Sequence, residues 1–236
     1  MLLHTEIYGD GEPILFLHTG LQTGLTDFEH QRDYFKQNYK VVLPDLRGHG
    51  KSIEHNFSNY FEESAMDLLE TIHYYNLSNV HIVGCSLGAL VALKFANKYP
   101  EKVKTLTISG IMPEKPDDWI KIHNEQVEKQ TQILQNKQIV AHFDNIHASD
   151  WKQFIYMAHN EEWYPFEETK NVGNFNFPVL FMVGEGNKNE INGAMIYPRR
   201  NDKIHISIIP FASHLVHSEQ PQIYTHVLEE FINQSK

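Results

Sequence analysis

Val80-His81-Ile82-Val83-Gly84-Cys85-Ser86-Leu87-Gly88-Ala89-Leu90 joins an apolar, β-branched run to an apolar helix-forming run, with G-x-S-x-G at the junction. A serine on so tight a strand-to-helix turn has strained backbone angles. Small residues two before and two after it keep the flanking strand and helix from colliding. The turn pushes the hydroxyl outward. It also leaves the next N–H, that of Leu87, free at a helix N-terminus, where it can stabilise a developing oxyanion. Framed by Val-His-Ile-Val and by Ala-Leu-Val-Ala-Leu-Lys-Phe-Ala, the motif predicts a nucleophilic Ser86 on a strand–turn–helix unit.

Outward from this unit, similar short runs recur at Ile14–Leu17, Lys40–Leu43, Lys104–Ile108, Val179–Val183 and His205–Ile209. Without polar alternation they suit strands buried on both faces. Helical stretches lie between most of them: Asn59–Tyr75, Leu87–Tyr99 before Pro100, and Gln222–Asn233 after Pro221. The alternation predicts a doubly wound, mostly parallel α/β sheet. Leu2–Tyr8 reads as an antiparallel edge strand turning at Gly9-Asp10-Gly11. About 70 residues separate Ile108 from Val179, far more than a crossover needs. Within them Trp119, Ile122 and Gln126, then Trp151, Phe154, Ile155 and Ala158, follow helical spacing. The expected product is a small helical cap of two or three helices, over roughly residues 111–175, inserted in one domain spanning 1–236.

The 236 residues suit one core, and 41% hydrophobic with 21% charged content is ordinary for a globular chain. A formal charge of −10 disfavours nucleic acid and anionic lipid as partners. No apolar run approaches the ~20 residues of a membrane span, and no basic-then-apolar leader precedes His4, so the expected location is cytoplasmic. The lone Cys85 can form neither an internal disulfide nor a cysteine metal cluster, and the 15 histidines show no zinc spacing. His142, His147 and His159 read as surface or core residues.

The chain resembles the α/β-hydrolase superfamily, and more narrowly its capped esterase, lactonase and haloperoxidase-like branch. Besides the serine turn, the resemblance rests on Phe16-Leu17-His18-Thr19-Gly20, on Pro44-Asp45-Leu46-Arg47-Gly48-His49-Gly50-Lys51-Ser52, and on Pro210-Phe211-Ala212-Ser213-His214-Leu215-Val216-His217-Ser218-Glu219-Gln220-Pro221. It implies that His214 is the general base, with His217 packing the following helix. Thr19 departs from the His-Gly that relatives carry, so the second oxyanion N–H falls to Leu21 or Gly20. Asp45, Arg47 and His49 read as a shaped loop.

The family's acid most often sits in a Gly-x-x-Asp pattern after the penultimate strand. Here Gly184-Glu185-Gly186-Asn187-Lys188-Asn189-Glu190 has asparagine in that place. An amide can orient an imidazole but cannot stabilise its charged form as a carboxylate does. Asn187 and Glu190 are therefore the leading candidates, followed by Glu185 and Glu114. The resemblance implies a serine hydrolase of a small ester, lactone or thioester, acting without metal or organic cofactor on a small-molecule substrate. The alternatives are a ligand-binding or signalling protein with a degraded triad, and a carbon–carbon bond hydrolase or lyase on the same scaffold. Trp119, Trp151 and Tyr156 are expected to line the substrate pocket, with Trp163 and Tyr164 as further candidates.

Overall fold

The computed structural model describes residues 1–235. Seven strands form one sheet: β1 (Thr5–Tyr8), β2 (Glu12–Leu17), β3 (Tyr39–Pro44), β4 (Val80–Cys85), β5 (Val103–Ser109), β6 (Val179–Gly184) and β7 (Ile204–Ile209). Their order is β1-β3-β2-β4-β5-β6-β7, parallel throughout except for β1, which runs antiparallel to β3. Each predicted run became a strand, because apolar residues alternate between two cores. Leu15, Leu17, Val80 and Ile82 face one core; Ile14, Phe16, Val83 and Cys85 face the other.

Helices cover both faces, as a parallel sheet requires. The first core is closed by α2 (Tyr60–Tyr74), α3 (Leu87–Lys98) and α8 (Gly193–Arg200), through Leu68, Leu90 and Tyr197. The second is closed by α1 (Glu29–Phe35) and α10 (Pro221–Gln234), through Phe35 and Leu228. The one-turn helix α9 (Val216–Glu219) precedes α10. The His205–Ile209 run departs from the expectation of burial on both faces. As the last strand of the sheet, β7 leaves His205 and Ile208 exposed.

Between β5 and β6 lie four helices rather than two or three: α4 (Trp119–Gln135), α5 (Lys137–Ile146), α6 (Lys152–Ala158) and α7 (Phe166–Lys170). Asn136 separates α4 from α5, its side chain accepting from the N–H groups of Gln138 and Ile139 as an N-cap. Pro165 sets the start of α7. Among the described residues no helix is long and apolar enough to cross a membrane.

Connections from β2 run to β3 on one side, while β4 lies on the other side of β2. The carboxyl ends of β2 and β4 therefore flank the crevice where strand order reverses, the place where open α/β sheets bind ligands.

Candidate active site

Ser86 sits between β4 and α3 with φ 52° and ψ −118°. Its N–H donates to Ser109 O at 2.9 Å. Two glycines make this turn possible. A Cβ on Gly84 would meet Gly88 O at 2.5 Å, and one on Gly88 would meet Leu17 O at 2.0 Å. Leu87 begins α3, so its N–H has no carbonyl one turn back to donate to, and it faces the same crevice as Ser86.

His214 follows β7, half-buried beside Ser86. Its Nε2 lies 3.1 Å from Ser86 Oγ and its Nδ1 lies 2.6 Å from Glu190 Oε1. The Glu219 carboxylate fixes the loop on both sides of the ring, accepting from Ser213 N–H and Leu215 N–H at 2.7 Å each. Burial works against the imidazolium. The hydrogen bond and charge of Glu190, helped by the charge of Glu219, outweigh it and hold His214 above the ordinary histidine value.

Of the four candidates for the third position, only Glu190 meets the ring. Asn187 stands instead at the head of a helical turn, where its Oδ1 accepts from Asn189 N–H at 3.2 Å and Glu190 N–H at 3.3 Å. Its carbonyl accepts from Ile191 N–H at 3.0 Å. These are the bonds of an N-cap. Glu185 accepts from Phe211 N–H at 2.9 Å, and Glu114 pairs with Arg200 at 2.8 Å. An Asn-x-x-Glu string is a helix-start signature, and it is the sequence signal that could have separated the capping residue from the carboxylate.

His217 is buried away from Ser86. It stacks on Phe28 and meets Asp27 Oδ1 at 2.8 Å. Asp27 in turn accepts from Thr19 N–H at 2.6 Å, which ties the loop after β2 to the segment after His214. Asp45 is structural as well, accepting from Gly24 N–H and Lys51 N–H. Arg47 is bound by Asp67, Glu54 and Glu63, and His49 donates from Nδ1 to Arg47 O. Cys85, under the serine turn, is buried, and burial pushes its thiol well above the usual range.

A cavity of about 580 Å³ opens between sheet and cap. Gly20, Leu21, Ser86, Leu87, Glu190 and His214 line its floor. Its walls are apolar toward α6 and β5, where Phe154, Ile155 and Met112 lie, and polar toward Gln126 and Lys129 of α4. The aromatic expectations need correction. Trp119 and Trp151 are 1% exposed, with indole N–H groups donating to Glu161 O and Asp144 Oδ1. Both fill the cap's own core, where a large ring buries the most surface. Tyr156 points to solvent at 51% exposure. The aromatics at the cavity are Phe154, Trp163 and Tyr164, the last accepting from Met112 N–H at 2.8 Å.

Similarity to known proteins agrees with this architecture. The Arabidopsis thaliana protein "Probable lysophospholipase BODYGUARD 1" is 34% identical over 103 residues, 41% of this chain and 22% of that protein. The matches span 22%, 21% and 28% of the lengths of the first three curated relatives. Among solved structures, NosK from Streptomyces actuosus aligns with a TM-score of 0.84 at 22% identity, covering 96% of this chain and 99% of that one. A marine microorganism esterase aligns at 0.75 and 23%, covering 98% and 99%. At such identities the likeness is one of fold. The family model of the alpha/beta hydrolase fold matches residues 12–157, more than half of the 236, and the chain belongs to that family.

Proposed function

We propose that the protein hydrolyses small carboxylic esters, lactones or thioesters through an acyl-Ser86 intermediate. The observation that carries this reading is the single imidazole of His214, 3.1 Å from the Ser86 hydroxyl on one side and 2.6 Å from the Glu190 carboxylate on the other. His214 takes the hydroxyl proton as Ser86 attacks the acyl carbon, then returns it to the leaving oxygen or sulfur. Glu190 holds the proton of His214 on Nδ1 and stabilises the charge the ring gains. The N–H of Leu87, with that of Leu21 or Gly20, stabilises the tetrahedral oxyanion. A water activated by the same imidazole then releases the acid.

The Glu190 carboxylate at Nδ1 of His214 favours this reading over a binding protein with a degraded triad, for which Asn187 in the acid's place is the argument. A cavity of about 580 Å³, apolar on one side and polar toward Gln126 and Lys129, leaves room beside Ser86 for both the acyl and the leaving portion of such a substrate. Labelling by a serine-directed fluorophosphonate tests the reading. Wild-type protein takes up the probe and the Ser86→Ala variant does not; an unlabelled wild type, folded by circular dichroism, refutes the acyl-enzyme mechanism.

A further inference from the structure

The loop after β2 carries both candidates for the second oxyanion donor of the reading above, and one of them, Leu21, has a strained backbone. Gln22 N–H donates to Thr19 O at 3.2 Å, closing a turn over Thr19–Gln22. Leu21, its third residue, has φ 65°. That position in such turns favours glycine or asparagine, and the sign of φ there goes with the direction the peptide joining the second and third residues faces. In this loop that peptide is Gly20–Leu21, and its N–H is the candidate donor. A leucine at positive φ is biased by about 5- to 30-fold toward relaxing to negative φ.

What opposes the relaxation comes from the cap. His147 follows the last residue of α5 and is 5% exposed. Its Nε2 lies 3.0 Å from Leu21 O, and its Nδ1 lies 2.8 Å from Gly50 N. A carbonyl can only accept and an amide N–H can only donate, so the ring must carry its proton on Nε2 and a bare lone pair on Nδ1. Burial, with His18 nearby, pushes His147 down to about 4, so the neutral ring this bridge needs is the form present near neutrality. The groups facing it are His18 after β2, Asp45 and His49 after β3, and His142 from α5. Two further bonds seat the segment, Ala148 N–H to Gly50 O at 2.7 Å and Glu54 N–H to Ser149 Oγ at 3.0 Å.

We infer that His147 is a positioning residue of the cap, whose hydrogen bond to Leu21 O holds the Gly20–Leu21 peptide in the orientation that stabilises the oxyanion. The inference rests on the acyl-Ser86 reading for its catalytic consequence. It makes docking of the cap a condition for a complete oxyanion hole, so the insertion does more than roof the substrate.

The test compares His147→Ala, His147→Gln and the double variant His147→Ala/Leu21→Gly, using p-nitrophenyl acetate. His147→Ala lowers kcat about tenfold, within the bias given above, while KM stays near the wild-type value. Glutamine carries a donor and an acceptor on one amide, so His147→Gln keeps most of kcat. Glycine has no penalty at positive φ, so adding Leu21→Gly to His147→Ala restores most of the loss. A histidine that merely packs the cap gives no such rescue. Hydrogen exchange of the 19–22 backbone, read on the same proteins and on Ser86→Ala, is independent of turnover. Faster exchange in His147→Ala but not in Ser86→Ala supports the latch even where Ser86 proves unreactive. Given an active wild type, an unchanged kcat in His147→Ala or no rescue by Leu21→Gly overturns it, and unchanged exchange overturns it whether or not Ser86 is reactive.

Discussion

Glu190→Gln is the substitution that most directly probes the candidate site, because it keeps shape and removes charge. The carboxylate Oε1 is 2.6 Å from His214 Nδ1. With charge centres roughly 4 Å apart and an effective dielectric of about 20, an imidazolium gains about 4 kcal/mol from this neighbour, or ~10³ in rate. The His214 side chain is 44% exposed, so solvent trims that gain, to about 10² at the low end. A second loss adds to the first. A glutamine can turn its amide N–H toward Nδ1 and favour the tautomer with the proton on Nε2, which cannot accept from Ser86. In the serine proteases the corresponding change costs about 10⁴. The expected fall in kcat for p-nitrophenyl acetate is therefore about 10²- to 10⁴-fold, with KM little changed. Asn187→Ala is the control. It removes two N-cap hydrogen bonds, about 1 kcal/mol of local order, so kcat falls only several-fold. Asn187→Asp preserves those bonds and brings no large gain. The reasoning is refuted if Glu190→Gln keeps more than about a tenth of kcat while Asn187→Ala suffers the larger loss.

Two further outcomes follow from the geometry. The general base acts only when neutral, so kcat/KM falls as pH drops through the pKa of His214; because Glu190 outweighs burial and raises that pKa, the acid limb of the profile lies above 6.5, and Glu190→Gln shifts it to lower pH. An acid limb that Glu190→Gln leaves in place contradicts the pairing. For the serine turn, Gly88→Ala places a Cβ 2.0 Å from the backbone oxygen of Leu17, which no side-chain rotation relieves. A destabilisation of about 3 kcal/mol is expected, read as a lowered urea midpoint, and a midpoint equal to wild type contradicts the close strand–helix approach.

The strands and the serine turn were legible because their signals are local. Val179–Gly184 is a continuous apolar run and Val80–Cys85 is broken only by His81, so their burial needs no knowledge of partners. Helices α1 and α8 were not read from the sequence. The first is only 7 residues long, and the second carries Pro198 inside it, so neither shows two clear turns of apolar spacing. In the cap, spacing marked Trp119 and Trp151 as inward-facing but could not say inward toward what. A helix face turned to the cap's own core and one turned to the cavity have the same period, and only packing separated those tryptophans from Trp163. His147 was beyond sequence reasoning for the same cause. Its partners, Leu21 and Gly50, are 126 and 97 residues away along the chain.

The displaced acid has a physical explanation in the turn that follows β6. Residues three apart on a helical turn share a face, so once Asn187 caps a turn, residue 190 projects on the side where residue 187 stands. A position one turn farther along the chain needs a longer reach, and glutamate has one methylene more than aspartate. The asparagine at 187 and the glutamate at 190 are then parts of one arrangement: the amide accepts the two N–H groups that order the turn, and the ordered turn delivers the carboxylate to His214. Glu190 is 4% exposed, and among the described residues its second oxygen, Oε2, has no hydrogen-bond partner. A buried carboxylate with so few donors has its charge answered chiefly by the one imidazole it touches. In the proposed mechanism that arrangement concentrates its effect on the step in which His214 becomes positive. On the proposed mechanism this turn has no need of an aspartate at 187, and introducing one would bring a second negative charge close to the first.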